Sequence, residues 1–308
     1  MLNFSYEITP ELSKPDLKTR LLTWLMRLLT HRRKPLEVNA LRKKLEKYEH
    51  KMPKLPQNIS LAHESYAGLP CDRLRKANHR CVLLYFYGGG YCIRSPNTEL
   101  AAVAGLCDRI NAEAYLPWYR LAPEHPHPAA GDDCLQVYQQ LLDDGLAPEK
   151  IIVAGNSAGG GNVLSLLYQL KTQSLAMPKC ALLFSPAGDA LMAMPSWIEN
   201  AKSDALFQLP DILRFGNYFL TPEQRIDKQL NVTQMESFEG YPPMYFTASE
   251  KELLRDVSIL AFEKAKQAGV AAQLDIYGGG FHSMPVLLNC RQSKTIWHRT
   301  AQFVNQHL

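Results

Sequence analysis

The sequence predicts an α/β fold with a mostly parallel central sheet flanked by helices. Three observations predict it. From about residue 81, helical and strand-like segments alternate, as they do in parallel βαβ units. Strand candidates such as residues 81–87 (CVLLYFY) are continuous apolar runs, which suits strands covered on both faces. The chain of 308 residues is 46% hydrophobic and 21% charged, the balance of a globular protein able to build a core without disulfides or metal.

The first ~55 residues read as two helices. Asp16 and Pro15 mark a helix start, and apolar positions 17, 21, 22, 25, 28 and 29 carry it until Pro35 breaks it. The expected reading is an amphipathic helix docked on the protein, with an interfacial helix as the alternative because Arg32, Arg33 and Lys34 follow. A second helix is expected over residues 36–48, and Pro53 and Pro56 mark a linker. Residues 59–66 and 71–75 read as short strands around Gly68 and Pro70. Then come strand 81–87, helix 97–111, strand 113–118, helix 130–144, strand 150–155, helix 158–172 and strand 180–185. The pattern lapses over 188–238. It resumes with strand 243–248, helix 253–268, strand 271–277 and a C-terminal helix from about 284. The expected organisation is an N-terminal helical cap segment over 1–56 and an α/β domain over 57–308, whose insertion at 188–238 joins the cap.

Thirty-four basic against 30 acidic residues give a net charge of +4, too small and dispersed for a nucleic-acid partner. No segment reaches the ~18 apolar residues of a membrane span, and the start of the chain does not read as a secretory signal. Seven cysteines without paired spacing are expected to be reduced and packed, which favours a cytoplasmic location.

The sharpest chemical signal is Gly155-Asn156-Ser157-Ala158-Gly159-Gly160, placed between a strand and a helix pattern. A serine with small residues two before and two after is a nucleophile elbow: the turn holds Ser157 Oγ out at the C-terminal edge of the sheet, over a helix N-terminus. The structural alternative is a small-residue turn for close helix–sheet packing. Tyr87-Gly88-Gly89-Gly90-Tyr91 follows the buried strand 81–86. Consecutive glycines there leave backbone N–H groups unobstructed, so Gly88 and Gly89, with Ala158, are expected to form an oxyanion hole. No phosphate-cradle motif is present. Of nine histidines, His282 stands in a loop after a predicted strand near the C-terminus and is the expected base. His125 and His127 lack the companions of a metal site, so no metal or cofactor is expected. The acid falls among Glu250, Glu252 and Asp256 in SEKELLRD, giving the chain order Ser–acid–His of α/β hydrolases.

These blocks resemble the hormone-sensitive-lipase-like esterases, also called GDXG or family IV esterases. The resemblance covers roughly residues 60–305. It is carried by YGGGYCIRS (87–95), YRLAPEHPHPAA (119–130), GNSAGGGN (155–162), SEKELLRD (249–256) and GGGFHSMP (278–285). It implies an α/β-hydrolase fold with a helical cap and a serine carboxylesterase acting on small-molecule esters of short-to-medium acyl chains. It also implies a Ser157–Glu252–His282 triad, with Glu252 preferred over Glu250. Glu124 is expected to bond backbone near the elbow, with Arg120 and Asp132 structural. A homodimer is expected by analogy. Pocket walls are sought among Trp24, Leu25, Leu28, Trp197, Leu206, Phe207, Phe215 and Tyr218.

Three positions depart from the family pattern: Tyr87 stands where His is usual, Asn156 where Asp is usual, and Glu252 where Asp is usual. The competing readings are an arylacetamide-type amidase or deacetylase with the same triad, and a non-catalytic binding protein on this fold. The presence of His282 argues against the second, since hormone receptors resembling this family have lost that histidine.

Overall fold

The apolar runs form the middle of an eight-stranded sheet. The computed structural model describes residues 4–34, 37–47, 49 and 53–308. The expected helix break at Pro35, the start of the second helix at residue 36, its end at Tyr48, and His50 lie outside the described residues.

Helices α1 (Leu17–Arg32) and α2 (Val38–Glu46) precede strands β1 (Ser60–Tyr66), β2 (Leu69–Arg75) and β3 (Cys81–Phe86). Next come α3 (Pro96–Ile110), β4 (Ala112–Pro117), α4 (Ala129–Asp143), β5 (Ile151–Asn156), α5 (Ala158–Thr172) and β6 (Cys180–Phe184). The segment that breaks the alternation carries α6 (Ser196–Glu199) and α7 (Leu209–Phe219). Strand β7 (Met244–Ser249), α8 (Arg255–Gln267), β8 (Ala272–Tyr277), α9 (Met284–Leu287) and α10 (Arg291–His307) complete the chain. The single helix expected from 284 is therefore two. The Leu288 and Cys290 backbones are extended between them, and the Cys290 side chain caps α10 by accepting from Ser293 N.

The strand order is β1-β2-β4-β3-β5-β6-β7-β8. β1 and β2 pair antiparallel at one edge, and all strands from β4 to β8 in that order are parallel. From β3 the chain moves outward to β4 and then returns to β5 on β3's other side. The direction of winding reverses between β3 and β5, and in such sheets a crevice opens at that point beyond the strand C-termini. Alternation within β3 divides the core. Val82, Leu84 and Phe86 pack with α4, α5 and α8, while Leu83 and Tyr85 pack with α3 and α10. All seven cysteines are among the described residues, buried and unpaired.

The N-terminal helices lie beyond the same strand ends. Thr30 Oγ1 donates to Ala205 O at 2.9 Å and Arg33 pairs with Asp211 at 2.7 Å, so α1 rests on the segment after β6. From α2, Arg42 donates to Ala122 O and Cys92 O and pairs with Glu124 at 2.7 Å. The docked apolar face expected of the first helix is not what α1 shows. Leu17, Leu21, Leu25 and Leu29 point outward, Thr19 and Thr30 are buried, and Leu22, Met26 and Leu28 are half-buried. Among the described residues, no helix is long and apolar enough to cross a membrane.

The polar residues of the 119–133 block are rearranged relative to expectation. Glu124 is half exposed and pairs with Arg42 instead of bonding near the elbow. The structural acid is Asp133, not Asp132: Asp133 is buried and takes both the Arg120 backbone N–H and its guanidinium, whereas Asp132 faces solvent. One turn position separates them, and only the second points into the fold.

Tyr87, which stands where His is usual, finds its hydroxyl partner on β2. Its hydroxyl donates to buried Asp72 Oδ2 of β2 at 2.6 Å, beside the Trp118 Nε1 donor at 2.8 Å. Its carbonyl accepts from Tyr119 Oη at 2.7 Å. A Tyr87→Phe variant loses one donor to a buried carboxylate and is expected to lose about 1–3 kcal/mol of unfolding free energy, measured by urea titration.

Candidate active site

Ser157 follows β5 directly and begins α5 with φ 54° and ψ −117°, a conformation that side chains rarely adopt. The turn closes only because the chain after it is small. A Cβ on Gly159 would stand 1.9 Å from Phe86 O, so β3 and α5 could not approach as they do. The strained residue is fixed by backbone bonds on both sides. Ser157 N donates to Phe184 O at 2.8 Å, and its carbonyl accepts from Gly161 N and Ala187 N.

His282 comes from the loop after β8, and its Nε2 lies 2.9 Å from Ser157 Oγ. Both residues are buried. Glu252 sits in the loop between β7 and α8, fully buried, with Oε2 3.5 Å from His282 Nδ1. That is an ion-pair distance beyond hydrogen-bond contact, and His282 Nδ1 and Glu252 Oε1 have no hydrogen-bond partner among the described residues. Glu252 Oε2 is oriented by Ser185 Oγ at 2.9 Å and Ser249 N at 3.2 Å. Ser185 Oγ also accepts from Ser283 N, joining the acid to the histidine loop. The other two acid candidates are engaged elsewhere. Glu250 pairs with Lys251, and Asp256 pairs with Arg255 and accepts from Ser196 N.

Burial pushes the His282 imidazolium toward losing its proton, but Glu252, Asp204 and Glu99 oppose it, and the net shift is upward from 6.5. Asp204 is a buried carboxylate that sequence reasoning missed. It accepts from Leu206 N, Phe207 N and Leu253 N, tying the insertion to the loop that bears Glu252. Asn200 Nδ2 adds a second tie, to Glu252 O at 2.9 Å.

The glycine loop differs from expectation at its first amide. Gly88 N donates to Glu99 Oε1 at 2.9 Å, so in this arrangement it is not offered to a ligand. Gly89 N and Ala158 N have no acceptor among the described residues. Gly89 is held at φ 124°, and a Cβ there would meet Ile93 O at 2.1 Å, so no other residue fits the turn. Glu99, on the first turn of α3, also accepts from Tyr85 Oη at 2.6 Å and Asn156 Nδ2 at 3.3 Å. Burial raises its pKa, its three donors lower it, and the balance leaves it pushed up to about 7. The signal that could have revealed it is an acid placed on the buried face of an otherwise apolar helix, ELAAVAGL.

Two cavities meet at Ser157. One, of about 380 Å³, holds His282, Gly88, Gly89 and Glu99 and is walled by Leu206, Phe207 and Phe215. The other, of about 110 Å³, runs under Tyr91 toward Trp197 and Phe219 and shares Phe207 and Phe215. Phe207 lies 5.2 Å from the His282 ring centroid. Trp197, Leu206, Phe207 and Phe215 are thus wall residues. Trp24, Leu25, Leu28 and Tyr218 line neither cavity: Trp24 and Leu25 face solvent, and Tyr218 reaches back to Glu37. His127 pairs with Asp227 at 3.0 Å, and no metal-ligating cluster occurs among the described residues.

Residues 83–286 match a family model described as alpha/beta hydrolase fold. An esterase of Acinetobacter venetianus is 31% identical over 245 residues, covering 79% of this chain and 80% of that protein. An acetyl-hydrolase of Streptomyces hygroscopicus is 27% identical over 201 residues, covering 65% of this chain and 67% of that protein. A crystal structure of a hormone-sensitive lipase from a metagenome library aligns with a TM-score of 0.87 at 26% identity, covering 96% of this chain and 99% of that one.

The Glu99 contacts generate a test of how the glycine loop is held. Glu99→Ala frees the Gly88 amide and strands the Asn156 amide, and kcat for a soluble ester is expected to fall at least ~10-fold. Glu99→Gln keeps an acceptor toward Gly88 and Asn156 and is expected to stay within about threefold. Steady-state kinetics of the two variants checks both.

Proposed function

This chain belongs to the alpha/beta hydrolase fold family and is a carboxylic ester hydrolase of the hormone-sensitive-lipase-like group, and from that premise we propose that it cleaves small esters through an acyl-enzyme formed on Ser157. The observation that carries the reading is the 2.9 Å contact between Ser157 Oγ and His282 Nε2 at a strained strand–helix turn.

In the proposed cycle His282 takes the Ser157 proton as Oγ attacks the ester carbonyl. The carbonyl oxygen becomes an oxyanion and is received by the Gly89 and Ala158 N–H groups at the N-terminus of α5. The tetrahedral intermediate expels the alcohol, which takes the proton from His282. Water then enters, gives a proton to His282, and attacks the acyl carbon, and Ser157 recovers its proton as the acid leaves. Glu252 orients the imidazole through Oε2. Protonation of the imidazole draws Nδ1–H onto Oε2 and closes the 3.5 Å gap. One acceptor oxygen oriented by Ser185 supports that role for a glutamate where aspartate is usual.

The cavities support an assignment of the two halves of the substrate. The leaving alcohol must lie against its proton donor, and His282 lines the larger cavity. The acyl chain then occupies the smaller one, about 110 Å³ and lined by Trp197, Phe215 and Phe219, which supports short acyl groups. The N-terminal helices and the insertion act as the cap over both.

Three measurements on one assay test this reading. Ser157→Ala is expected to lower kcat/KM for p-nitrophenyl butyrate at least ~10,000-fold, and equal rates would remove the proposal. Across a p-nitrophenyl ester series, dodecanoate is expected at least ~10-fold slower than butyrate, because overfilling a small apolar pocket is costly. His282 must be neutral to act as base and its pKa lies above 6.5, so kcat/KM is expected to rise with pH through a midpoint above that value.

A further inference from the structure

Helix α1 leaves most of its large apolar side chains outside, with Met26 packed inward on the core. Thr19 and Thr30 are buried against the protein. Leu17, Leu21, Trp24, Leu25 and Leu29 are 78%, 63%, 54%, 43% and 59% exposed. Positions 17, 21, 24 and 25 share one face by helical spacing, so the exposed groups form a continuous stripe rather than scattered side chains. A stripe of this kind is unusual on a free surface and marks a site of interaction.

Within α1 the charge has one sign, and the acid that shares the depression with Leu17, Leu21 and Trp24, Glu250, is paired with Lys251. Leu17–Arg32 contains Lys18, Arg20, Arg27 and Arg32 and no acidic residue. All four cations face solvent. A shallow depression beside the stripe is bounded by Trp24, Arg27, Leu28, His31, Arg32 and Lys202, which sets three cations around an apolar floor. A second copy of this chain meeting the stripe about a two-fold axis would bring the same cations against themselves, and like charges in contact oppose that pairing. A surface that supplies both acyl chains and phosphate anions satisfies both halves of the pattern, with Trp24 at headgroup depth.

From these features we infer that the exposed face of α1 docks the enzyme onto an anionic phospholipid bilayer. The docked face adjoins the reaction cavity: Thr30 and Arg33, at the end of the same helix, line the cavity that contains Ser157 and His282. Docking sets that cavity beside the bilayer surface, where esters of low water solubility concentrate. This use rests on the ester-hydrolase reading, whereas the docking itself does not.

The test uses the full chain and reads binding separately from activity. Phosphatidylcholine vesicles with and without phosphatidylglycerol are co-sedimented with wild type, Leu21→Ser/Trp24→Ser and Arg20→Gln/Arg27→Gln. Wild type is expected to bind the anionic vesicles at least ~10-fold more tightly than the neutral ones, and less tightly at high salt. Each double variant is expected to lose at least ~10-fold of that affinity while keeping its rate on soluble p-nitrophenyl acetate. Trp24 emission is expected to shift blue on anionic vesicles. No binding by wild type, or binding indifferent to lipid charge and to the arginine variant, overturns the inference. So does a solution dimer in sedimentation equilibrium that the Leu21→Ser/Trp24→Ser change dissociates, which would give the face to a second copy. Should that variant fail to fold, the arginine variant, altered only at exposed positions, decides the question by itself.

Discussion

The contact on which the site geometry depends is the approach of α5 to β3 at Gly159 and Phe86. It leaves no room for a side chain, and it allows β5 to be followed by a residue at φ 54°. Such a conformation costs of order 1–3 kcal/mol and persists only where neighbours over-determine it. Here three backbone hydrogen bonds do so, one to the end of β6 and two from the residues after Ser157 and after β6. The same approach brings the end of β5 beside the end of β3. The glycine loop and the serine then face each other across the point where the sheet's winding reverses. The site is a consequence of strand order before it is a consequence of any one side chain.

Around that frame the chain redistributes negative charge. The family pattern puts a carboxylate where Asn156 stands. Here a buried carboxylate is supplied by Glu99, which contacts the Asn156 amide, the Gly88 amide and the Tyr85 hydroxyl together. An amide at 156 can donate to that carboxylate, whereas an aspartate there would set two acids in contact, and one would have to take a proton. Tyr87 is accommodated by the same logic. Its hydroxyl passes beyond the glycine loop to Asp72 on β2. The departures at 87 and 156 are each matched by an acid on a neighbouring element.

Much of this was legible in the chain, and the limits have physical reasons. Strands β3, β5, β6 and β7 announce themselves because both faces are covered and their side chains are mostly apolar. Ser157 and His282 stand at strand ends marked by glycine, where the backbone leaves few alternatives. Partners that depend on rotation about a helix were not legible. Asp132 and Asp133 are adjacent acids, and only packing decides that Asp133 turns inward. Glu99 lies in an apolar helix pattern, and nothing local says which buried donors await it. The period of α1 correctly predicted an amphipathic helix, but period does not say which face meets the protein. Thr30, bonded to Ala205, and buried Thr19 hold a face that leaves Leu17, Leu21, Leu25 and Leu29 outside.

The insertion and the acid–base pair are mechanically one unit. Asp204 receives amides from both the insertion and the Glu252 loop, Asn200 bonds the Glu252 carbonyl, and Phe207 packs against the His282 ring. Any movement of residues 200–207 that widens the cavities must therefore loosen the groups that orient the acid and wall the base. Because α1 is fastened to that stretch through Thr30 and Ala205, a force on the outer face of α1 is delivered to the same residues. Access to the cavities and alignment of the pair are then coupled by covalently short paths. A surface that engages α1 acts on both at once.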